Sequence, residues 1–227
     1  MCGRYLLDDD ADLFQLQLIQ AYIGKRFGPE QAARLKTGEI FPGNVVPILL
    51  TAEADPFVPK AKILPDPDSE PDPQPDLEPA GDSQLIALPM VWGFPGFKGS
   101  QLLINARQET VAEKPTFCES FADRRCVIPT TGFIEWSHDE RGKAVDKFRF
   151  NTPGTQLLFL AGIYTLVGRE LRFAILTTAA NSSMAEIHHR QPVIIPPLMI
   201  RPWINDPQAA DELRQSPGPQ MTRSLIK

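Results

Sequence analysis

The chain has 227 residues, 42% hydrophobic and 22% charged, with a formal net charge of −5. Its length allows one large domain or two small ones, each with a sizeable core. No apolar run reaches the roughly 18 residues of a membrane span, so neither a spanning helix nor a membrane partner is expected, and an acidic whole argues against nucleic acid.

Gly3 to Leu7 has strand character. Asp8, Asp9 and Asp10 follow too closely for the basic flank and apolar core of a signal peptide. Ala11 to Gly28 reads as a helix, with Asp8 to Asp10 as capping candidates and Leu13, Leu16, Ile19 and Tyr22 at helical spacing. Pro29 to Leu35 predicts a second short helix opened by its proline. Ile40 to Asn44 is turn-rich and leads into a strand over Val45 to Thr51. From Asp66 to Asp82 the chain holds seven acids and no Lys or Arg. Such a Pro/Asp-rich stretch forms neither helix nor ladder, and it reads as a surface insertion within a single domain over 1–227. Taking its seven acids from the net charge of −5 leaves +2 on the remainder, which weakens the objection to nucleic acid.

Strand structure resumes with Ala87 to Trp92, followed by a turn over Gly93 to Gly99 and a buried run over Leu102 to Ile104. Gln108 to Ala112 and Phe117 to Asp123 predict short helical stretches. Cys126 to Ile128, Phe133 to Trp136, Phe148 to Phe150, Leu157 to Val167 and Glu170 to Thr178 read as strands, with Gly168-Arg169 as a hairpin turn. Ser182 to His188 predicts a short helix, and Gln191 to Ile195 an apolar β-branched run. Leu198 to Ile200 should enter a last strand. Trp203 to Leu213 should be helical, capped by Asp206 and opened by Pro207, and the tail after Gln215 should be loose. The sum is an α+β fold: a mostly antiparallel sheet or distorted β-barrel with peripheral helices.

The chemistry starts at Cys2. If Met1 is removed, one carbon bears an α-amine of pKa about 7.7–8.0 beside a thiol of about 8.5. An amine condenses with an aldehyde to a Schiff base, and the adjacent thiol can close a five-membered thiazolidine. Asn105 and Arg107 sit two apart on one side of an extended segment; the amide suits an oxygen or an amine, the guanidinium a phosphate. Glu135 lies between apolar and aromatic neighbours that raise a carboxyl pKa, and Trp136 offers a ring to a base. His188 and His189 are two of only three histidines; one of them is expected to reach a site as acid or base. Trp92 is either a second stacking surface or a core residue. Cys2, Cys118 and Cys126 fit no disulfide framework, and no Cys/His spacing suggests a metal. Without a Gly-rich phosphate loop no nucleotide cofactor is expected. A reducing cytoplasmic setting is expected.

Met1-Cys2-Gly3-Arg4-Tyr5, Trp92-Gly93, Asn105-Ala106-Arg107-x-Glu109-Thr110, Arg125 to Pro129 running into Gly132-Phe133-Ile134-Glu135-Trp136, and Ile187-His188-x-Arg190-x-Pro192-Val193-Ile194 together resemble the SOS-response-associated peptidase (SRAP) family. The resemblance implies binding of single-stranded DNA and covalent trapping of abasic sites by the mature N-terminal cysteine, as part of the DNA damage response. It implies that Cys2 is the nucleophile, that Asn105 positions it, that Glu135 moves protons for Schiff-base formation and serves Met1 removal, and that His188 assists sugar ring opening. Arg4, Arg107 and Arg190 would hold phosphates, Trp92 and Trp136 would lie near bases, and Thr177 near the DNA. No cofactor is implied; the protein is expected to be a monomer, associated with the nucleoid when bound. His189 replaces the Asp or Asn more usual there. The rival readings are a cysteine peptidase acting on other proteins and a non-catalytic DNA-binding module; a β-elimination lyase activity is compatible with the trapping reading.

Overall fold

The computed structural model describes residues 2–8, 13–58 and 84–226; the acidic stretch from Asp66 to Asp82 lies outside them. In chain order these residues form β1 (Arg4–Leu7), α1 (Leu13–Phe27), α2 (Pro29–Ala33), β2 (Gly38–Ile40), β3 (Val45–Thr51), β4 (Leu85–Trp92), β5 (Phe94–Pro95), β6 (Leu102–Leu103) and β7 (Asn105–Arg107). There follow α3 (Cys118–Asp123), β8 (Arg125–Thr130), β9 (Gly132–His138), β10 (Ala144–Asn151), β11 (Leu158–Val167), β12 (Glu170–Ala179), β13 (Arg190–Pro192), α4 (Ile200–Asn205), α5 (Pro207–Gln215) and β14 (Thr222–Ile226).

Five strands close on themselves in the order β11-β8-β3-β4-β12, with β12 returning to β11. The closure explains why these strands read as unbroken apolar runs: both faces are buried. Ile48, Leu50, Ile86, Leu88, Cys126, Ile128, Phe173 and Ile175 fill one cluster. Their neighbours Leu49, Ala87, Val127, Ala174 and Leu176 belong to a second, which packs against Ile23, Phe121, Trp203 and Ile204 of the helices. Alternation of period two therefore sorts each strand between the two cores. Gly162 keeps the interior closed, since a Cβ there would collide with Ile128 Cδ1 and come within 3.0 Å of Cys126 Sγ.

A second, antiparallel sheet runs β14-β10-β9-β1-β2. Only Thr131 separates β8 of the barrel from β9 of this sheet, and Thr130 Oγ1 fixes the corner by donating to Leu6 O at 2.6 Å and accepting from Gly132 N at 3.1 Å. The α+β arrangement expected from the sequence is the one the chain adopts.

Several local expectations give way to tertiary pairing. Residues 108–113 form hydrogen-bonded turns, because Gln108 N is taken by Thr177 O. Residues 182–187 form turns as well: the Asn181 side chain accepts from Ser183 N and Oγ and competes with helical bonding. Leu198 to Ile200 is a 3-10 turn running into α4, since two prolines set helical φ and Ile200, Trp203 and Ile204 bury at helical spacing. The tail is ordered where β14 pairs with β10, and the turn after Trp92 contains β5, paired with β6. The cap at α5 is as expected, with Asp206 accepting from Gln208 N and Ala209 N. No helix among the described residues is long and apolar enough to cross a membrane.

Candidate functional site

Strand β1 pairs with β9 so that Tyr5 faces Phe133 and Arg4 faces Ile134. Followed back from Arg4, that antiparallel register leads Cys2 toward Glu135 and Trp136. Cys2 is fully buried, its Sγ 3.7 Å from Arg4 O. Across the sheet boundary, Asn105 on β7 donates from Nδ2 to Cys2 O at 3.0 Å. One amide thus pins the start of the second sheet to the barrel. Asn105 Oδ1 is buried with no hydrogen-bond partner among the described residues.

Glu135 is 3% exposed, and burial pushes its carboxyl up to about 7 by penalising the charged form. The Cys2 thiol is held far above its ordinary value, first by burial and then by the negative charge of Glu135. In this form the sulfur is a neutral, desolvated thiol beside a carboxyl that titrates near neutrality, a pairing suited to proton transfer.

His188 is half-buried. Its Nδ1 accepts from Arg190 N at 3.0 Å, and its ring stacks on His189 with centroids 4.4 Å apart. Burial first, then nearby positive groups that include His189 and His138, lower its pKa to about 4. Two further histidines, one adjacent and one from a distant stretch of sequence, thus bear on His188.

Three of the residues expected to touch DNA are instead interior. Trp92 is fully buried, donates from Nε1 to Ile104 O at 3.0 Å and packs against Tyr5 and Phe173; it has no face to offer a base. Thr177 is 1% exposed and lies beneath Arg190. Arg190 is 8% exposed and holds Glu109 with two bonds of 2.6 and 2.9 Å while donating to Thr177 O at 2.6 Å. These bonds tie β13 to the segment after β7. Arg107 is exposed at the end of β7.

Arg4 differs again. It pairs with Glu39 at 2.8 Å, and Glu39 also pairs with Lys147 at 2.8 Å. Its guanidinium lies 4.4 Å from the Phe41 ring centre and 5.1 Å from that of the half-buried Trp136. Phe41, Glu39 and Lys147 were not singled out from the sequence. Only the β1–β2 pairing and the β9–β10 pairing bring them to Arg4, although an exposed Phe beside a Pro-Gly turn is a usable signal. Glu109 was legible only as part of a motif. Among the described residues no group of three or more His, Cys, Asp or Glu is placed to hold a metal.

The arrangement is a buried cysteine at the chain's start, fixed by an amide and next to a buried carboxyl whose pKa is raised. A family model described as SOS response associated peptidase (SRAP) matches residues 1–225. Among curated proteins, the chain is similar to the abasic site processing protein YoqW of Bacillus subtilis (strain 168), 35% identical over 120 residues that cover 50% of this chain and 53% of that protein. It is likewise similar to the abasic site processing protein YedK of Escherichia coli (strain K12), 33% identical over 128 residues, or 54% and 57%. The chain spans about half the length of the curated relatives it matches. Two solved structures share the fold. A protein from Bacteroides thetaiotaomicron has a TM-score of 0.68 at 19% identity, covering 100% of this chain and 92% of that one. A phage-related protein from Bordetella bronchiseptica has a TM-score of 0.63 at 20% identity, covering 100% and 94%.

Proposed function

The chain belongs to the SOS response associated peptidase family, and from that premise we propose that it processes abasic sites in single-stranded DNA by covalent capture at Cys2. The observation that carries this reading is the pinning of Cys2 by Asn105 next to a buried carboxyl raised to about 7. The names of the YoqW and YedK relatives agree with it.

In this reading Met1 is removed first, which frees the Cys2 amine. The amine nitrogen adds to the aldehyde carbon of the ring-opened sugar, and the carbinolamine loses water to give a Schiff base. Glu135 in its neutral form supplies the proton that makes the hydroxyl a leaving group, and its pKa near 7 lets it recover that proton. Cys2 Sγ then adds to the imine carbon while the thiol proton passes to the imine nitrogen, closing the thiazolidine. Asn105 keeps Cys2 in place through each step, and its unpartnered Oδ1 is an acceptor for the amine. His188 serves the sugar oxygen during ring opening. Because Glu135 lies next to Cys2, the same carboxyl is available for hydrolysis of the Met1–Cys2 bond. Arg107 is the exposed guanidinium left to meet a phosphate, and Trp136 the ring left to meet a base.

The test is mass spectrometry of the purified chain followed by a denaturing gel after incubation with single-stranded DNA bearing one abasic site. Loss of Met1 and a heat-stable shifted band, absent in Cys2→Ala, is the expected result. A Cys-first protein that gives no shifted band refutes the trapping reading.

A further inference from the structure

Among the described residues, β12 pairs with β4 at Arg172–Val91 and Phe173–Trp92 alone. Ahead of that pairing, Pro89 of β4 and Leu171 of β12 line a common cleft of about 470 Å³, whose apolar floor also takes in Val45 and Val91. Phe27, at the end of α1, and Phe57 wall it on one side, their rings edge to face at 5.8 Å. Phe57 is 52% exposed, yet it is anchored: its N–H donates to Asp55 Oδ1 at 2.9 Å, and Asp55 pairs with Arg26. The apolar surface continues past the cleft. Leu166, 54% exposed, stands directly opposite Leu171 in the β11–β12 hairpin, which puts the two side chains on one face of the sheet. The exposed Val58 follows Phe57.

The rim is cationic in a chain whose net charge is −5. Arg34 and Arg169 border the cleft together with one acid, Glu170. Glu170 already pairs with Arg172 at 2.7 Å, and Arg34 stands 3.7 Å from its other oxygen. Three guanidiniums thus share one carboxylate, which leaves an excess of two positive charges around an apolar floor. An uncharged ligand leaves the arginines idle, and a polyanion without apolar groups leaves Phe57 and Leu166 in water. We infer that the cleft docks an acidic peptide segment of a partner protein, its carboxylates on Arg34 and Arg169 and one apolar side chain seated between Phe27, Phe57 and Leu171. Guanidiniums take carboxylates in bidentate pairs, and a side chain anchored in a pocket carries most of the energy of such a contact. The flanking Val58 and Leu166 suit the neighbouring side chains of a peptide and offer nothing to a sugar-phosphate backbone. Leu171 lies four residues before Ile175, which pairs with Asn105, so about 13 Å of strand separates the cleft from the residue that pins Cys2. The partner can therefore be held while the Cys2 site is engaged, and the inference does not depend on the abasic-site reading.

The experiment is fluorescence anisotropy of the full-length protein with dye-labelled peptides in which a run of Asp precedes Leu, Phe or Trp. Matched peptides carry Asn for the Asp run or Ser for the apolar residue. The expected result is saturable binding of the acidic, apolar-ended peptides that weakens with added salt. Binding should fall roughly 10-fold in the double variant Arg34→Ala/Arg169→Ala and by a similar factor in Phe57→Ala, as it should for either matched peptide. Arg34→Lys/Arg169→Lys keeps the charge without the bidentate fork and should recover part of the loss. Cross-linking of abasic single-stranded DNA should be unchanged in all three variants. The absence of saturable binding, or binding that the double alanine variant leaves intact, overturns the inference. Binding of undamaged single-stranded DNA that this variant loses, with no peptide bound, makes the cleft a nucleic-acid surface and overturns it as well. A dimer in sedimentation that Phe57→Ala abolishes assigns the face to a second copy of the chain, with the same consequence.

Discussion

Replacing Glu135 by glutamine should change how stability depends on pH, by an amount the burial of that residue sets. In the unfolded chain the carboxyl titrates near 4.5, and in the folded protein at about 7. The folded state therefore binds the proton more tightly. The resulting stabilisation is fully present below pH 4.5 and is lost as pH rises through 7. Each pH unit between the two values is worth about 1.4 kcal/mol, so the wild type should lose about 2–3 kcal/mol between about pH 5 and pH 9 that Glu135→Gln does not lose. Urea unfolding of both proteins at the two pH values measures this as a difference of differences, in which every other titrating group cancels. The variant should be close to the wild type at pH 5 and clearly more stable at pH 9. Its cross-linking rate at neutral pH should nevertheless fall by roughly 10²-fold or more, the usual contribution of a positioned acid or base. Stability curves that run parallel from pH 5 to 9 would refute the claim that burial raises this carboxyl, and with it the proton-transfer role.

Trp92 and Trp136 should separate cleanly. Trp92→Ala empties a fully buried site and should cost about 3–5 kcal/mol in unfolding experiments, while the fraction still folded binds single-stranded DNA with unchanged affinity. Trp136→Ala should leave stability within about 1 kcal/mol and weaken binding roughly 10-fold in fluorescence anisotropy, since base–aromatic stacking is worth about 1–3 kcal/mol. Gly162→Ala should destabilise the barrel by about 1–3 kcal/mol through overpacking against Ile128 and Cys126; a neutral result in thermal unfolding would mean that the barrel interior is less tightly filled than the structure has it.

The strands of the barrel were legible because their residues leave little choice. Val45–Thr51 is a β-branched and aliphatic run apart from Pro47, and it forms β3 with the bounds read from sequence. The hairpin of β11 and β12 was equally plain, because Gly168 supplies the positive φ of 62° that its turn requires. Short helices were misread at 108–112 and 182–188 for a shared reason. Propensity over five to seven residues is worth little, and one side-chain or cross-chain hydrogen bond outweighs it, from Asn181 in one case and to Thr177 in the other. The last strand expected at Leu198 to Ile200 failed because apolar character does not distinguish a buried helix from a strand over three residues.

At the candidate site, residue types by themselves determined which groups carry chemistry. A cysteine behind the initiator, a carboxylate among apolar neighbours and a rare histidine are residue types that can act as nucleophile, acid or base, although the fold sets their pKa values. Which charges are left over for a ligand was decided by the tertiary structure alone. Arg190 and Arg107 look equivalent in sequence, yet one is consumed by Glu109 and Thr177 and the other is exposed. Trp92 and Trp136 are both strand tryptophans, yet one fills the core and the other rests against Arg4. Burial and pairing depend on residues distant in the chain, such as Glu39 brought to Arg4 by β2 and His138 brought toward His188 by β9. Long-range contacts of that kind exist only once the barrel has closed and the second sheet has docked on it, so no local pattern in the sequence carries them.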